Sequence, residues 1–311
     1  VTCWGENSHG QLGDGTTKLR TLPLVPMLKA VRSLGLGSYH TCTAGEHHGL
    51  QCWGRNSSGQ ISGSSGTNVV APALVGTNAT RTPSVATGGY THTCALGVGG
   101  RAACWGSRSF AETGGRAQPR AAHVVPGAVG LVDLDIANVF SCGVAKTGRV
   151  VCWGSNGDGQ LGRGNITHHG HVGPVSGIKS AVQVATGNRH ACALLANGKV
   201  QCWGKGQYGR LGLGHDEPAQ IPGDVTPIAD IAQVEASPYH TCARGKGGEI
   251  WCWGRNNWGQ LGDGTLKDRQ LPVKVVGIKD AIDVATGFWH TCAVLSDGDV
   301  RCWGKNERGA L

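Results

Sequence analysis

The sequence predicts an all-β protein, a β-propeller of four-stranded antiparallel blades, and three observations carry that prediction. The tripeptide Cys-Trp-Gly occurs seven times, with its cysteine at Cys3, Cys52, Cys104, Cys152, Cys202, Cys252 and Cys302, so successive copies lie 49, 52, 48, 50, 50 and 50 residues apart. A second cysteine precedes each of the last six by ten residues, at Cys42, Cys94, Cys142, Cys192, Cys242 and Cys292, and the two sets account for all 13 cysteines. Glycine supplies 53 of the 311 residues while only 15% are charged, a composition suited to many short strands and tight turns and unsuited to a helical bundle or a disordered tail. A small sheet repeated at this period cannot bury its faces alone, and stacking such sheets around a ring gives them one continuous core.

The elements follow in order within one unit, most clearly from Leu271 onward. Residues 272–275 read as strand A, 281–287 as strand B, 290–295 as strand C and 300–304 as strand D. Each piece is too short for a helix and rich in β-branched residues, and Asp297-Gly298 or Asn197-Gly198 marks a hairpin turn between the last two. The whole chain reads as one domain, with a partial blade at 1–5 and complete blades at about 22–54, 70–106, 119–154, 172–204, 222–254 and 271–304. Residues 1–12 align with 300–311, so the chain begins and ends in one phase. That phase predicts a seven-bladed ring in the intact protein, of which six blades are complete here; a closed six-bladed ring is the alternative. Val1 opens inside a repeat with no charged and apolar leader, and no apolar run of the length that crosses a membrane occurs. The protein is expected to be soluble and not to insert into a membrane.

Cysteine placement fixes the expected compartment. Strands C and D carry one cysteine each at equal distances from their turn, as Cys192 and Cys202 flank Asn197, which sets the pair opposite one another across a hairpin. Disulfides Cys42–Cys52, Cys94–Cys104, Cys142–Cys152, Cys192–Cys202, Cys242–Cys252 and Cys292–Cys302 are therefore predicted. Buried free thiols are one alternative, and a metal site is another that the absence of Cys-x-x-Cys spacing disfavours. Cys3 has no partner ten residues before it and is left to pair with a residue outside this chain. Six such bridges imply an oxidising location: secreted, periplasmic or cell surface.

The run Trp-Gly-x-Asn-x-x-Gly-Gln-Leu-Gly at 4–13, 153–162 and 253–262, with Val-Ala-x-Gly-x-x-His-Thr at 284–291, resembles the regulator of chromosome condensation repeat. The resemblance spans essentially the whole chain and implies a propeller, typically seven-bladed. It also implies nucleotide exchange on a nuclear GTPase and chromatin binding, which the cysteine framework opposes, because a nuclear protein keeps its thiols reduced. No basic tail or exchange-type insertion supports that activity either. The architecture is also similar to a secreted, propeller-type β-lactamase inhibitor family, which engages its enzyme through aromatics in Gly-x-x-His loops. By that resemblance Tyr39, Tyr239 and Trp289 occupy matching positions and Tyr90 nearly so, whereas Arg189 and Val139 depart from the pattern.

Residues that recur at one phase in every unit are structural, since one site does not need six copies. The Cys-Trp-Gly tryptophans and His40, His92, His190, His240 and His290 belong to that class, with each histidine expected to bond a neighbouring turn; Phe140 takes the histidine position in the third unit. Function is expected where the repeats differ. In an up-and-down blade the B–C and D–A loops leave one face and the C–D turns the other. Ten aromatics lie outside the Cys-Trp-Gly set and eight fall in loops of that one face: Tyr39, Tyr90, Tyr239, Phe288 and Trp289 before strand C, and Phe110, Tyr208 and Trp258 after strand D. The position after Cys-Trp-Gly adds Arg55, Lys205, Arg255 and Lys305 among Glu6, Ser107 and Ser155, with Arg108 and Arg189 beside them. Tyr39, Tyr90, Phe110, Arg189, Tyr208, Tyr239, Arg255, Trp258, Phe288 and Trp289 are therefore the candidate binding residues, a set rich in the large side chains that dominate recognition surfaces. The competing reading is that these rings only lid the loops and close the central channel.

The expected function is a non-catalytic extracellular or cell-surface binding module: an adhesin, a scaffold or an inhibitor of a secreted protein. The alternative is a polysaccharide-active hydrolase or lyase with its site in the central mouth. Candidates for that chemistry are Glu46-His47-His48, Asp216-Glu217 and His168-His169-x-His171, the last also a possible metal ligand set; none sits in a recognised catalytic motif, and no catalytic residue, metal or cofactor is assigned. The net charge of +8 is modest for 311 residues, so the expected partner is a protein or an acidic polysaccharide and not nucleic acid. Asn56, Asn78 and Asn165 are N-glycosylation acceptors only if the source is a eukaryotic secretory pathway.

Overall fold

The computed structural model describes residues 1–311 apart from 24–27, 29, 46–48, 62–65, 76–83, 87–88, 108–121, 308 and 310, together with the side chains of 84–86. Phe110, Arg108, Glu46-His47-His48 and Asn78 lie outside the described residues. The first sheet holds β1 (Val31–Leu36), β2 (His40–Gly45), β3 (Gly49–Gly54) and β4 (Val69–Leu74). The second holds β5 (Ser84–Ala86), β6 (His92–Gly97), β7 (Arg101–Gly106) and β8 (His123–Val124), and the third β9 (Leu131–Ile136), β10 (Phe140–Ala145), β11 (Val150–Ser155) and β12 (His169–Pro174). The fourth holds β13 (Ala181–Thr186), β14 (His190–Leu195), β15 (Val200–Gly204) and β16 (Ala219–Asp224). The fifth holds β17 (Ile231–Ala236), β18 (His240–Gly245), β19 (Ile250–Gly254) and β20 (Arg269–Lys274), and the sixth β21 (Ala281–Thr286), β22 (His290–Leu295) and β23 (Val300–Gly304).

All pairings are antiparallel and run in chain order, giving five four-stranded sheets and one of three. The protein is thus a six-bladed propeller, the alternative ring size that the sequence allowed. Each blade consists of strands B, C and D of one sequence unit and strand A of the next, as β19 pairs with β20 through Gly254↔Arg269 and Cys252↔Val273. The amino-terminal segment repeats this pairing once, in the bridge Gly5↔Arg20. Gly309 also lies against Thr21 as Gly209 lies against Gln270 in the interior of the ring, so the two ends of the chain meet through the contact that joins neighbouring blades.

The predicted cysteine pairs are directly opposite in register, for example Cys192↔Cys202, and all six are disulfides with Cα atoms 4.0 to 4.1 Å apart. Cys3 is a free, half-buried thiol. Six bridges across exposed-edge sheets point to an oxidising environment. Among the described residues no helix is long and apolar enough to cross a membrane.

The core lies between blades and repeats with them. Trp53, Trp105, Trp153, Trp203 and Trp253 are fully buried, each removing roughly 200 Å² of ring from water. The indole Nε1 of Trp53, Trp105, Trp203 and Trp303 donates to the main-chain carbonyl of Gln11, Gln60, Gln160 and Gln260 in the preceding repeat. The recurring histidines bond across blades as well: His40 to Thr93, His92 to Ser141, His190 to Thr241 and His240 to Thr291, at 2.8 to 3.3 Å. Their shared partner is a strand hydroxyl of the next blade, which explains why His-Thr travels as a pair through the repeats, and His240 Nδ1 also bonds the turn hydroxyl of Ser237 at 2.7 Å. Buried in this way, His40 titrates at about 4 and His92 and His240 at about 3, so the imidazoles stay neutral.

The first strand of each blade is innermost, because β1, β5, β9, β13, β17 and β21 each lie against the next in chain order. Their side chains stitch the inner edges together. Asp133 accepts from Val184 N at 2.8 Å and Asp135 from Thr186 N at 2.6 Å, while the Gln183 and Gln233 amides bond both the N–H and the C=O of Val234 and Val284.

Candidate binding face

The loop face is organised by one hydrogen bond per blade. The residue just before each strand-C position accepts, through its carbonyl, the N–H of the residue following Cys-Trp-Gly: Arg55 N to Tyr39 O, Lys205 N to Arg189 O, Arg255 N to Tyr239 O and Lys305 N to Trp289 O, all 2.8 to 3.0 Å. The glycine of Cys-Trp-Gly makes room for this bond. At Gly254, with φ +109°, a Cβ would come within 2.7 Å of Tyr239 O, so only glycine fits. A sequence spacing of sixteen residues thereby becomes a side-by-side pair of loop side chains, an aromatic and a cation on two adjacent loops.

Two clusters result. The larger joins Tyr208, Tyr239, Trp289, Arg255 and Arg210. Tyr239 and Trp289 are stacked with centroids 4.2 Å apart and planes inclined by 13°, and Tyr208 meets Tyr239 edge-on at 6.3 Å. The Arg255 guanidinium lies 4.6, 5.5 and 5.1 Å from the Tyr208, Tyr239 and Trp289 ring centres. Arg210 approaches Tyr208 and Tyr239 to 5.4 and 5.5 Å; it is buried and donates to the carbonyls of Gln207 and Pro238. Burial lowers its pKa to about 10, far above neutrality, so the cluster holds two positive charges. Contacts of a guanidinium with ring faces each contribute on the order of 0.5–1 kcal/mol when exposed.

The smaller cluster joins His9, Tyr39, Tyr90 and Arg55. Tyr39 packs against Tyr90 at 5.3 Å and against His9 at 4.7 Å, and Arg55 sits 4.6 Å from the Tyr90 centre. Between the clusters Arg189 is held by Asp158 at 2.8 Å. Trp258 carries the Lys305 ammonium 4.2 Å above its ring, and Lys305 also pairs with Glu307. Tyr90, Trp258 and Phe288 are exposed, whereas Tyr39, Tyr208, Tyr239, Arg255 and Trp289 are half-buried.

Of the residues expected at this face, the structure gathers Tyr208, Tyr239, Arg255 and Trp289 into one cluster and Tyr39 and Tyr90 into another; Phe110 is not described. Arg210 escaped the sequence reading although the signal was present. It replaces the glutamine found at Gln11, Gln60, Gln160 and Gln260, a departure from the repeat at a point where departures mark function. Other motifs resolve differently. Asn56 is buried and binds Ile61 N through its side-chain oxygen, so it is not an accessible glycosylation site, whereas Asn165 is exposed. Among the described residues no cluster of three His, Cys, Asp or Glu could hold a metal; the His168 and His169 rings stand 5.8 Å apart.

With this geometry in hand, comparison with known proteins identifies the repeat. The family model "Regulator of chromosome condensation (RCC1) repeat" matches residues 1–44, 147–194, 197–244 and 247–294, and a second model of the same repeat matches 181–210, 231–260 and 281–310. The chain belongs to the regulator of chromosome condensation repeat family. No curated protein sequence matches it significantly. Among solved structures, human WBSCR16 is similar with a TM-score of 0.88 at 20% identity, covering 100% of this chain and 90% of that one. Prp20 of Saccharomyces cerevisiae is similar with a TM-score of 0.86 at 23% identity, over 100% of this chain and 82% of its own. The ectodomain of the Physcomitrella patens receptor kinase CR4 is similar at 20% identity and a TM-score of 0.59, over 98% of this chain and 66% of its own. These likenesses show a shared propeller fold. Propellers of the regulator of chromosome condensation family serve mostly as binding or exchange-factor modules, and function here is argued from the loops.

Proposed function

We propose that this propeller is a non-catalytic module of an extracellular or cell-surface protein that binds a macromolecular partner through the Tyr208–Tyr239–Trp289–Arg255 cluster. The observation that carries the reading is Arg255 itself: a half-buried guanidinium seated over three rings and joined to no carboxylate among the described residues. Aromatic rings pre-order the cation while leaving N–H donors at the rim, which lowers the entropy lost when a partner is bound. The six disulfides support an oxidising compartment. Related folds supply precedents for protein partners: Prp20 is described bound to Kap60 and in its binding to Gsp1p and histones, and CR4 contributes a receptor ectodomain. Adhesion, scaffolding and inhibition of a secreted protein all use such a face.

The test is affinity capture from the extracellular fraction of the source with wild-type protein, Trp289→Ala and Arg255→Gln. Loss of the two central side chains is expected to weaken the captured partner by at least about thirtyfold, the scale of an interface hot spot. The catalytic alternative is favoured by Glu235, whose carboxyl on an inner strand accepts from the Gln233 amide and is pushed up to about 8 by burial and by the Asp135 charge. If both loop variants keep every interaction and Glu235→Gln abolishes cleavage of a polysaccharide, the binding reading fails.

A further inference from the structure

We propose that the opposite face of the ring carries a separate site for a linear acidic polysaccharide, laid along the C–D turns of the second, third and fourth blades. Those turns form one continuous surface, because each is hydrogen-bonded to the start of the next inner strand. Leu131 N donates to Gly100 O, Lys146 N to Gly130 O, Ala181 N to Gly148 O and Ala196 N to Ser180 O, at 2.8 to 3.0 Å. The surface carries five exposed cations in sequence around the axis: Arg101, Lys146, Arg149, Lys179 and Lys199. None takes part in the ion pairs formed among the described residues. Asp133 and Asp135, on the inner strand of the third blade, are committed to main-chain amides of the next blade, and the exposed Asp224, which accepts from Gln201, and Asp230 stand at the Lys199 end of the arc. Past Lys199 the charge is mixed, with acids among the exposed Lys246, Lys279 and Arg301. Gly198 abuts Asp230, and the remaining turns add the exposed Asp280, Asp297 and Asp299.

The shape of this charge selects the ligand. Five cations strung over three blades and joined in no ion pair among the described residues suit a flexible chain of regularly spaced sulfates or carboxylates, which gains affinity by releasing its counterions. Val98, Val129, Val132 and Val182 are exposed among the cations, as a lipid-binding surface would have them. A flat anionic bilayer, however, would meet the whole face, including Asp230, Asp280, Asp297 and Asp299, and like charges repel at that range. Nucleic acid is disfavoured because the arc offers no aromatic ring on which a base could stack.

Titration with a heparin oligosaccharide at about 0.15 M salt and above tests the site. Wild-type protein is expected to bind, with affinity falling steadily as salt rises. The combined variant Lys146→Gln/Arg149→Gln/Lys179→Gln/Lys199→Gln should bind at least tenfold more weakly with a shallower salt dependence, while Lys246→Gln/Lys279→Gln, on the same face where acids flank the cations, should match wild type. A second variant, Lys179→Glu, reads the same loss from one substitution if the combined variant folds poorly. Absence of binding by wild type, equal binding by the combined variant and Lys179→Glu, or equally tight binding of duplex DNA or phosphatidylserine vesicles through the same residues would each overturn the proposal. Because the aromatic loops lie on the other face, either site can fail without the other.

Discussion

His190 Nε2 lies 2.9 Å from Thr241 Oγ1 of the next blade, and the interruption of this bond at the third blade is reciprocal. Where Phe140 replaces the histidine, Ala191 replaces the hydroxyl residue that would face it, and both are buried in one apolar cluster. The exchange removes donor and acceptor together, so nothing polar is left unpaired.

Phe140→His alone should therefore place an imidazole against Ala191 without its bond and destabilise the protein by about 1–3 kcal/mol. Adding Ala191→Thr should recover much of that loss. Chemical denaturation of the two single variants and the double variant measures the coupling, and strict additivity would rule out a shared role for the pair.

Stability should depend on pH in two opposed ways. The unfolded imidazoles titrate near 6.5, above the values of about 3 to 4 held by His40, His92 and His240 in the fold, so the unfolded chain takes up protons first. Stability from this source is complete above 6.5 and is lost as pH falls toward 3. Glu235 acts in reverse. Its folded pKa of about 8 exceeds the ordinary 4.5, so its contribution is present below 4.5 and disappears as pH rises through 8. Melting temperature against pH for wild type and Glu235→Gln should show the variant gaining on wild type between these limits; parallel curves would refute the assignment.

Reduction should cost more than any single loop change. In the chain-entropy account each bridge closing a hairpin of this size contributes roughly 3 kcal/mol, and six are present. Alkylation after unfolding without reductant should label one thiol per 311-residue chain, at Cys3. Pretreatment with reductant should label thirteen and lower the melting temperature sharply.

Arg210→Gln restores the residue that other repeats carry and should leave the fold intact, because the main-chain carbonyl at that position, which accepts Thr241 Oγ1 at 2.9 Å, is unchanged. A stability change within about 1 kcal/mol is expected. What the substitution removes is the charge beneath Tyr208 and Tyr239 and the bond to Pro238 O. A tenfold or larger drop in partner affinity with unaltered melting would place Arg210 in recognition; equal losses in both would make it structural.

Much of this molecule was readable from sequence because its determinants are local. Strand lengths, the Asn-Gly and Asp-Gly hairpins and the pairing of Cys192 with Cys202 depend on residues within one turn of chain, and the fifty-residue period advertised the ring. The aromatic loops were legible for the same reason, since Tyr239 and Arg255 hold fixed places around one hairpin. Tertiary structure alone decided what lies between blades. That His190 seeks Thr241, that strand A completes the preceding sheet, that Arg210 slides under Tyr239 and that Gln183 caps Val234 are contacts between residues from about fifteen to fifty positions apart. Their partners are chosen by the stacking of neighbouring sheets, a relationship that no hydrophobic period within a single unit encodes.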